Sequence, residues 1–236
     1  MCYRRKASAV AIEHPRRRPP FWQRLSPTEQ LIAAGLATIA LAGVALIGNG
    51  LYIKAKASLS QVLLERSFRQ NLAGIEGARP WPWADFVTEA RIDAPRIGQS
   101  AIVLSGANGE TLAFGPAWLS RTPQPGDEGT AVIAAHRDTH FRWLKDVRPG
   151  DTIEITRRDG QHLAFKALGG RIARWDESGI DPEAHGRNLA LSTCWPFDAR
   201  EPGPLRYILE AELIGATQSV ATNAERPSLR TAAKAL

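Results

Sequence analysis

Cysteine is scarce in this chain, with two in 236 residues, Cys2 and Cys194, so stability cannot come from a network of disulfides. An excess of charge of one sign is missing from most of it as well. The net +6 is the sum of +7 over residues 1 to 56, which carry nine Lys/Arg against two Glu, and −1 over residues 57 to 236, which carry 21 Lys/Arg against 22 Asp/Glu. The larger part therefore lacks an electrostatic footprint for DNA or RNA, and no nucleic-acid partner is expected. Long apolar runs are absent with a single exception.

That exception is Gln30 to Ile53, "QLIAAGLATIALAGVALIGNGLYI", 24 residues without a charge. At about 1.5 Å per residue a helix of this length crosses the roughly 30 Å hydrocarbon core of a bilayer. Arg4, Arg5, Lys6, Arg16, Arg17, Arg18 and Arg24 precede it, and only Lys54 and Lys56 follow closely. The positive-inside bias then keeps the N-terminus in the cytoplasm and sends everything after Ile53 outside. A cleaved signal peptide is one alternative, since Ala55-Lys56-Ala57 has a small-x-small pattern, but the apolar region of a signal peptide is about 7 to 15 residues. A buried core helix is the other, and Gly35, Gly43, Gly48 and Gly50 in an uninterrupted apolar run suit lipid better. Membrane lipid is thus an expected partner, through one helix.

This topology separates the cysteines. Cys2 lies in the cytoplasm and Cys194 outside, where disulfides form readily, so the two cannot pair within one chain. A lone thiol in an oxidising compartment is buried and inert, joined to another molecule, or kept free because it reacts.

Five segments are expected: a basic cytoplasmic tail (1–29), a transmembrane helix (30–53), a juxtamembrane stalk (54–79), a β-rich domain (80–215) and an unstructured tail (216–236). In the stalk, Leu59, Val62, Leu63, Phe68 and Leu72 recur near helical spacing. Pro80 and Pro82 then break the helix, and Trp81 and Trp83 either pack the stalk onto the domain or anchor it at the membrane interface. From about residue 90 short apolar or alternating runs predict strands over 90–94, 101–106, 111–115, 130–136, 151–157, 162–169, 170–175, 188–194 and 206–213. Asn108-Gly109 and Asp159-Gly160 suit tight hairpins. The fold class is mainly β, a closed barrel or a sandwich with short helices.

Of the five histidines, His14 is cytoplasmic on this topology, His162 opens a strand and His185 lies in a polar loop. His136 and His140, in "VIAAHRDTHF", are four apart, but a turn rather than a helix carries them and no Cys or carboxylate cluster completes a site; neither a metal nor another cofactor is implied. His136 ends a predicted strand, where a rigid element delivers a side chain to a groove. In "NLALSTC", alternation puts Leu189, Leu191 and Thr193 on one face and Ala190, Ser192 and Cys194 on the other, so inward leucines leave the thiol outward. The same argument turns Tyr207, Leu209, Ala211 and Leu213 inward and Arg206 outward. A Cys, a His and an Arg, each at a strand end, are the parts of a thiol acyl-transferase. Arg200, in the loop before Pro202, competes with Arg206 for the arginine role, and Arg206 is favoured because it opens a strand.

"GTAVIAAHRDTHFRWLKDVRPGDTIEI", "LALSTCWPFDA" and "GPLRYILEAEL" together resemble the sortase family of cysteine transpeptidases over roughly residues 80 to 214. Sortases carry a histidine at the end of a barrel strand, a "TLxTC" segment and an arginine on the next strand, which His136, "LSTC" ending in Cys194, and Arg206 match in order. Ala190 stands where that pattern usually has Thr. "WPWAD" and "CWPFDA…GPLRY" look most like the sortases of Gram-negative bacteria, called class GN. The resemblance implies a closed sortase-type β-barrel, an inner-membrane anchor and a periplasmic catalytic domain. It also implies a protein substrate with a C-terminal sorting signal of LPxTG type and transfer to an amine acceptor whose identity the sequence leaves open. A periplasmic cysteine hydrolase with the same triad, and a barrel that only binds peptides, are the alternative functions.

Overall fold

The structure, a computed structural model, describes residues 26–75, 77–199 and 201–218. Two compact units share the chain, Met1–Ala55 and Lys56–Leu236. One helix, α1 (Pro27–Leu72), contributes to both, and both of its ends follow from local chemistry. At the start, Ser26 and Glu29 form a capping box: the Ser26 N–H and hydroxyl both donate to Glu29 Oε2, at 2.8 and 2.9 Å, and Pro27 takes the first helical position. At the end, Gly74 adopts φ 83° and the Ile75 N–H donates back to the Gln70 carbonyl, a glycine-closed helix terminus.

In the first unit the apolar stretch of α1 is exposed all round, Leu36, Ile39, Leu46 and Leu51 among others. A helix apolar on every face and unburied is long enough to cross a membrane.

In the second unit α1 turns one face inward. Ser60, Leu64, Ser67 and Phe68 are buried, at the i, i+4, i+7, i+8 positions of a single stripe. They pack with Ala84, Phe86, Ile102 and Leu104. Polar contacts lock the face: Ser67 Oγ donates to the Ala78 carbonyl at 2.7 Å and Asn71 Nδ2 to Thr88 Oγ1 at 2.9 Å. The stretch expected as a juxtamembrane stalk thus packs against the wall of the barrel. The two tryptophans part company, for Trp81 meets Phe86 and Phe114 edge-on whereas Trp83 is 77% exposed.

Eight strands close into a barrel: β1 (Thr88–Ala94), β2 (Gln99–Ser105), β3 (Ala117–Trp118), β4 (Gly129–Ala134), β5 (Thr152–Arg157), β6 (Gln161–Arg174), β7 (Arg187–Cys194) and β8 (Leu205–Gln218). Around the barrel the order is β1-β2-β3-β4-β7-β8-β6-β5, and β5 pairs back onto β1. The fold is mainly β and closed. Alternate residues fill the interior, Ile92, Ile133, Ile153, Ile155, Phe165, Leu189 and Leu191 among them, and Phe141, with Trp143 and Leu144 from the short 3-10 turn Arg142–Asp146 that follows it, joins the same core.

Two local expectations give way. Residues 111–115 are not a strand: α2 (Gly109–Phe114) forms there, because the Asn108 side chain accepts from the Thr111 N–H at 2.8 Å and caps a helix instead of turning a hairpin. The topology explains the need, since β2 and β3 run parallel and parallel neighbours require a crossover. Residues 162–175 are not two strands but one, β6, whose register against β8 shifts between Ala167 and Gly169. The glycine pair bends the strand there, and a Cβ on Gly170 would overlap the Tyr207 ring. Asp159-Gly160 does turn the β5–β6 hairpin, with Gly160 at φ 82°. In the tail expected to lack structure from residue 216, Ala216 to Gln218 extend β8 and the rest lies outside the described residues.

Candidate active site

The site is set by how three adjacent strands run. β4 and β7 are parallel, in register from Gly129 opposite Arg187 to Ala134 opposite Ser192. Parallel neighbours in step finish at the same end of a barrel. The ladder continues one bond further, from the Ala135 N–H to the Ser192 carbonyl at 3.1 Å. His136 and Cys194 each stand two positions beyond Ala134 and Ser192, which returns both to the outward face. β8 runs antiparallel to β7 and sets Arg206 directly opposite Cys194. Opposed residues share a face, with Cβ atoms about 4.5–5.5 Å apart. The expected Cys, His and Arg therefore meet at one end and on one face of β4, β7 and β8. His136 is exposed, while Cys194 and Arg206 are half-buried.

Inward residues brace the arrangement. Thr193 is buried at 2% exposure and its hydroxyl donates to the Ala135 carbonyl at 2.7 Å, fixing the residue before Cys194 to the residue before His136. The His136 carbonyl accepts from the Phe141 N–H at 3.0 Å, which ties down the 136–141 turn. Arg206 Nη1 donates to the carbonyls of Gly203 and Leu205, each at 2.9 Å. Beneath the reactive groups, Val132, Ala190 and Ile208 form an apolar outer floor with Leu119, Ala173 and Ile180 packed over it. Ala190 fills that floor where the sortase pattern has a hydroxyl. Trp195, Phe197 and Tyr207 make an aromatic cluster beside Cys194, with Trp195 and Tyr207 stacked at 6.1 Å.

His140 shares the region. Burial, and after it the charge of His136, hold the His140 imidazole below the usual histidine range and favour its neutral form. His162 lies elsewhere, with Nδ1 at 3.0 Å from Thr156 Oγ1, and His185 contributes a backbone carbonyl to Asn188. Among the described residues no cluster of three His, Cys, Asp or Glu could hold a metal. Arg200 lies outside the described residues.

The supporting residues were not picked out from the sequence. Thr193 carried a signal, for it shares the inward phase of Leu189 and Leu191, and a hydroxyl in a core position needs a partner. Arg137 carried a weaker one, as an arginine in the step after an outward His136; it is buried, with Nη2 donating to the carbonyls of Ala199 and Glu201.

A closed barrel with a thiol, an imidazole and a guanidinium at one end is the arrangement of a cysteine acyl-transferase. The sequence matches the family described as Sortase domain over residues 92–214, just over half of the chain. This protein belongs to the sortase family, whose members are cysteine transpeptidases. It is similar to Sortase D of Bacillus subtilis, 25% identical over 187 residues that span 76% of this chain and 93% of that protein. Its fold is similar to a Clostridium perfringens Sortase D5 transpeptidase, with TM-score 0.54 and 22% identity over 67% of this chain and 99% of that one. It is also similar to a lid mutant of sortase A from Corynebacterium diphtheriae, with TM-score 0.51 and 22% identity over 67% of this chain and 95% of that one.

Proposed function

We propose that this protein is a membrane-anchored transpeptidase that cleaves a C-terminal sorting signal, LPxTG-like by family analogy, and transfers the new acyl end to an amine. The observation that carries the reading is the register pairing of Cys194 with Arg206 at the end where the β4 strand delivers His136. The Cys194 thiolate attacks the scissile carbonyl, and a tetrahedral oxyanion forms with Arg206 as its donor. Collapse breaks the C–N bond, His136 gives its proton to the leaving amine, and a thioester remains on Cys194. The acceptor amine then attacks the thioester, His136 takes its proton, and the thiolate leaves. A guanidinium suits the arginine role because it stays charged at any working pH.

The anchoring follows the charge asymmetry and the exposed apolar helix: residues 1–29 form a cytoplasmic tail, 30–53 span the bilayer, 54–79 connect, and 80–215 act outside. The "WPWAD" and "CWPFDA" segments favour the Gram-negative class, hence an inner membrane and a periplasmic domain.

Water and amines compete for the thioester, so the fate of the acyl group tests the reading. With a cognate sorting-signal peptide, hydroxylamine or a small peptide amine should raise turnover and divert product to the adduct, and the acyl-enzyme should be visible by intact mass when no amine is present. Turnover indifferent to amine, with only free carboxylate formed, would make the protein a hydrolase.

A further inference from the structure

Arg137 is a buried charge that the chemistry above does not use. It follows His136 directly and is 9% exposed. Among the described residues it has no ion pair, and both of its hydrogen bonds leave Nη2 for main-chain oxygens, Ala199 at 2.7 Å and Glu201 at 2.9 Å. Nη1 is buried with no hydrogen-bond partner among the described residues. A guanidinium in this state is costly to the fold, because its charge has left water without a counter-ion and one of its nitrogens has no acceptor. An apolar side chain of similar volume would serve the core better. The reason for an arginine must lie in what Nη2 holds.

Nη2 holds the segment 195–204 that joins β7 to β8. That segment starts immediately after Cys194 and ends just before Arg206. Its base is closed by the Trp195 N–H donating to the Leu205 carbonyl at 3.0 Å. Its far end is fastened to the end of β4 by Arg137. The Arg206 guanidinium folds back onto the same segment, through the carbonyls of Gly203 and Leu205. If the segment shifts, the two acceptors that orient Arg206 shift with it.

From this chain of contacts we infer that Arg137 is a positioning residue: it clamps Ala199 and Glu201 to the turn that follows β4 and so holds the Arg206 guanidinium beside Cys194, in step with His136. The inference rests on the transpeptidase reading of the site. Arg137 acts through Arg206 and touches no substrate. The His136-Arg137 dipeptide thereby serves the reaction twice, once through an outward imidazole and once through an inward clamp.

Two variants of the full chain test it, Arg137→Met, close in volume, and Arg137→Lys, which keeps the charge but lacks the planar fork. Each is made in the native protein and in an Arg206→Ala background, and each is read by amide hydrogen exchange and by transfer of a sorting-signal peptide to an amine. The methionine variant should speed exchange in residues 197–205 by about tenfold or more while β4 and β7 stay protected. Its kcat should fall by on the order of 10- to 10²-fold with KM little changed. In the Arg206→Ala background the same change should cost less than about twofold, because the residue it positions is already gone. The lysine variant should fall between. Equal losses in both backgrounds would reduce Arg137 to a core residue, and unchanged exchange in 197–205 would remove the clamp. Should the methionine variant fail to fold, the lysine variant carries the same comparisons. A native chain that transfers nothing would reject the transpeptidase reading instead, and the exchange measurement, which needs no turnover, would still decide the clamp.

Discussion

The two faces of β7 share one backbone and one pair of hydrogen-bonded neighbours, yet they carry different things. Inward, Leu189, Leu191 and Thr193 are 1%, 0% and 2% exposed and belong to the barrel interior. Outward, Ala190 and Ser192 lead to Cys194, which is only half-buried. A strand can therefore hold a reactive group on a rigid rail without asking that group to pack. The inner face supplies stability, the outer face supplies chemistry, and the alternation of the pleat keeps them apart.

Cys194→Ala draws the contrast most sharply. Acyl transfer should vanish and the acyl-enzyme mass should disappear, while stability changes by no more than about 0.5 kcal/mol in a denaturant titration, as for a side chain outside the core. Leu191→Ala should do the reverse, costing about 2–5 kcal/mol of stability through the cavity it leaves, with activity per folded molecule largely kept. Arg206→Ala should lower kcat/KM by on the order of 10², the loss expected for one oxyanion donor, with the melting curve little moved. Thr193→Val is the change that ought to break the division. It is an inward residue whose hydroxyl fixes Ala135, so it should lose about 1–3 kcal/mol of stability by leaving a buried carbonyl unpaired, and some turnover besides. A Thr193→Val protein with full activity would mean that the inner face does not steady the outer one.

The smallest effect is in pH. His140 titrates below its ordinary 6.5 in the fold, through burial and the charge of His136. The unfolded chain then binds the proton more readily, so stability is at its full value above about 6.5 and falls as the pH drops through the folded value. Denaturant titrations between pH 7 and 5 should show this decline, and His140→Gln should flatten it.

Much of the barrel was legible in the sequence because β strands with one buried face write their register as alternation. β4, β5 and β7 were found within two residues of their observed limits, though β4 stops two residues short of His136, and β8 was found at its start but runs on to Gln218. What was not legible depended on distant partners. Thr111 to Gly115 read as a strand until Asn108 capped it, and β3 is two residues long, too short to leave a pattern. Gly169-Gly170 divided one strand into two on paper, because glycine weakens a strand pattern; here the bend accommodates Tyr207 from β8. Arg137 gave only a faint signal for the same reason, since its partners Ala199 and Glu201 lie more than 60 residues further along the chain.

The position of β8 has a consequence in time. Among the described residues it is the last strand in chain order, yet it lies between β7 and β6, so the barrel stays open until this strand arrives. A growing chain that has reached Pro204 already contains the thiol and the imidazole, but neither the guanidinium nor the wall that sets them in place. On the proposed mechanism the nucleophile is thus born latent, and its arming coincides with completion of the fold. A chain ended at Pro204 should show Cys194 reacting with an alkylating probe no faster than a free thiol, and supplying β8 as a separate peptide that pairs with it should bring the faster rate back.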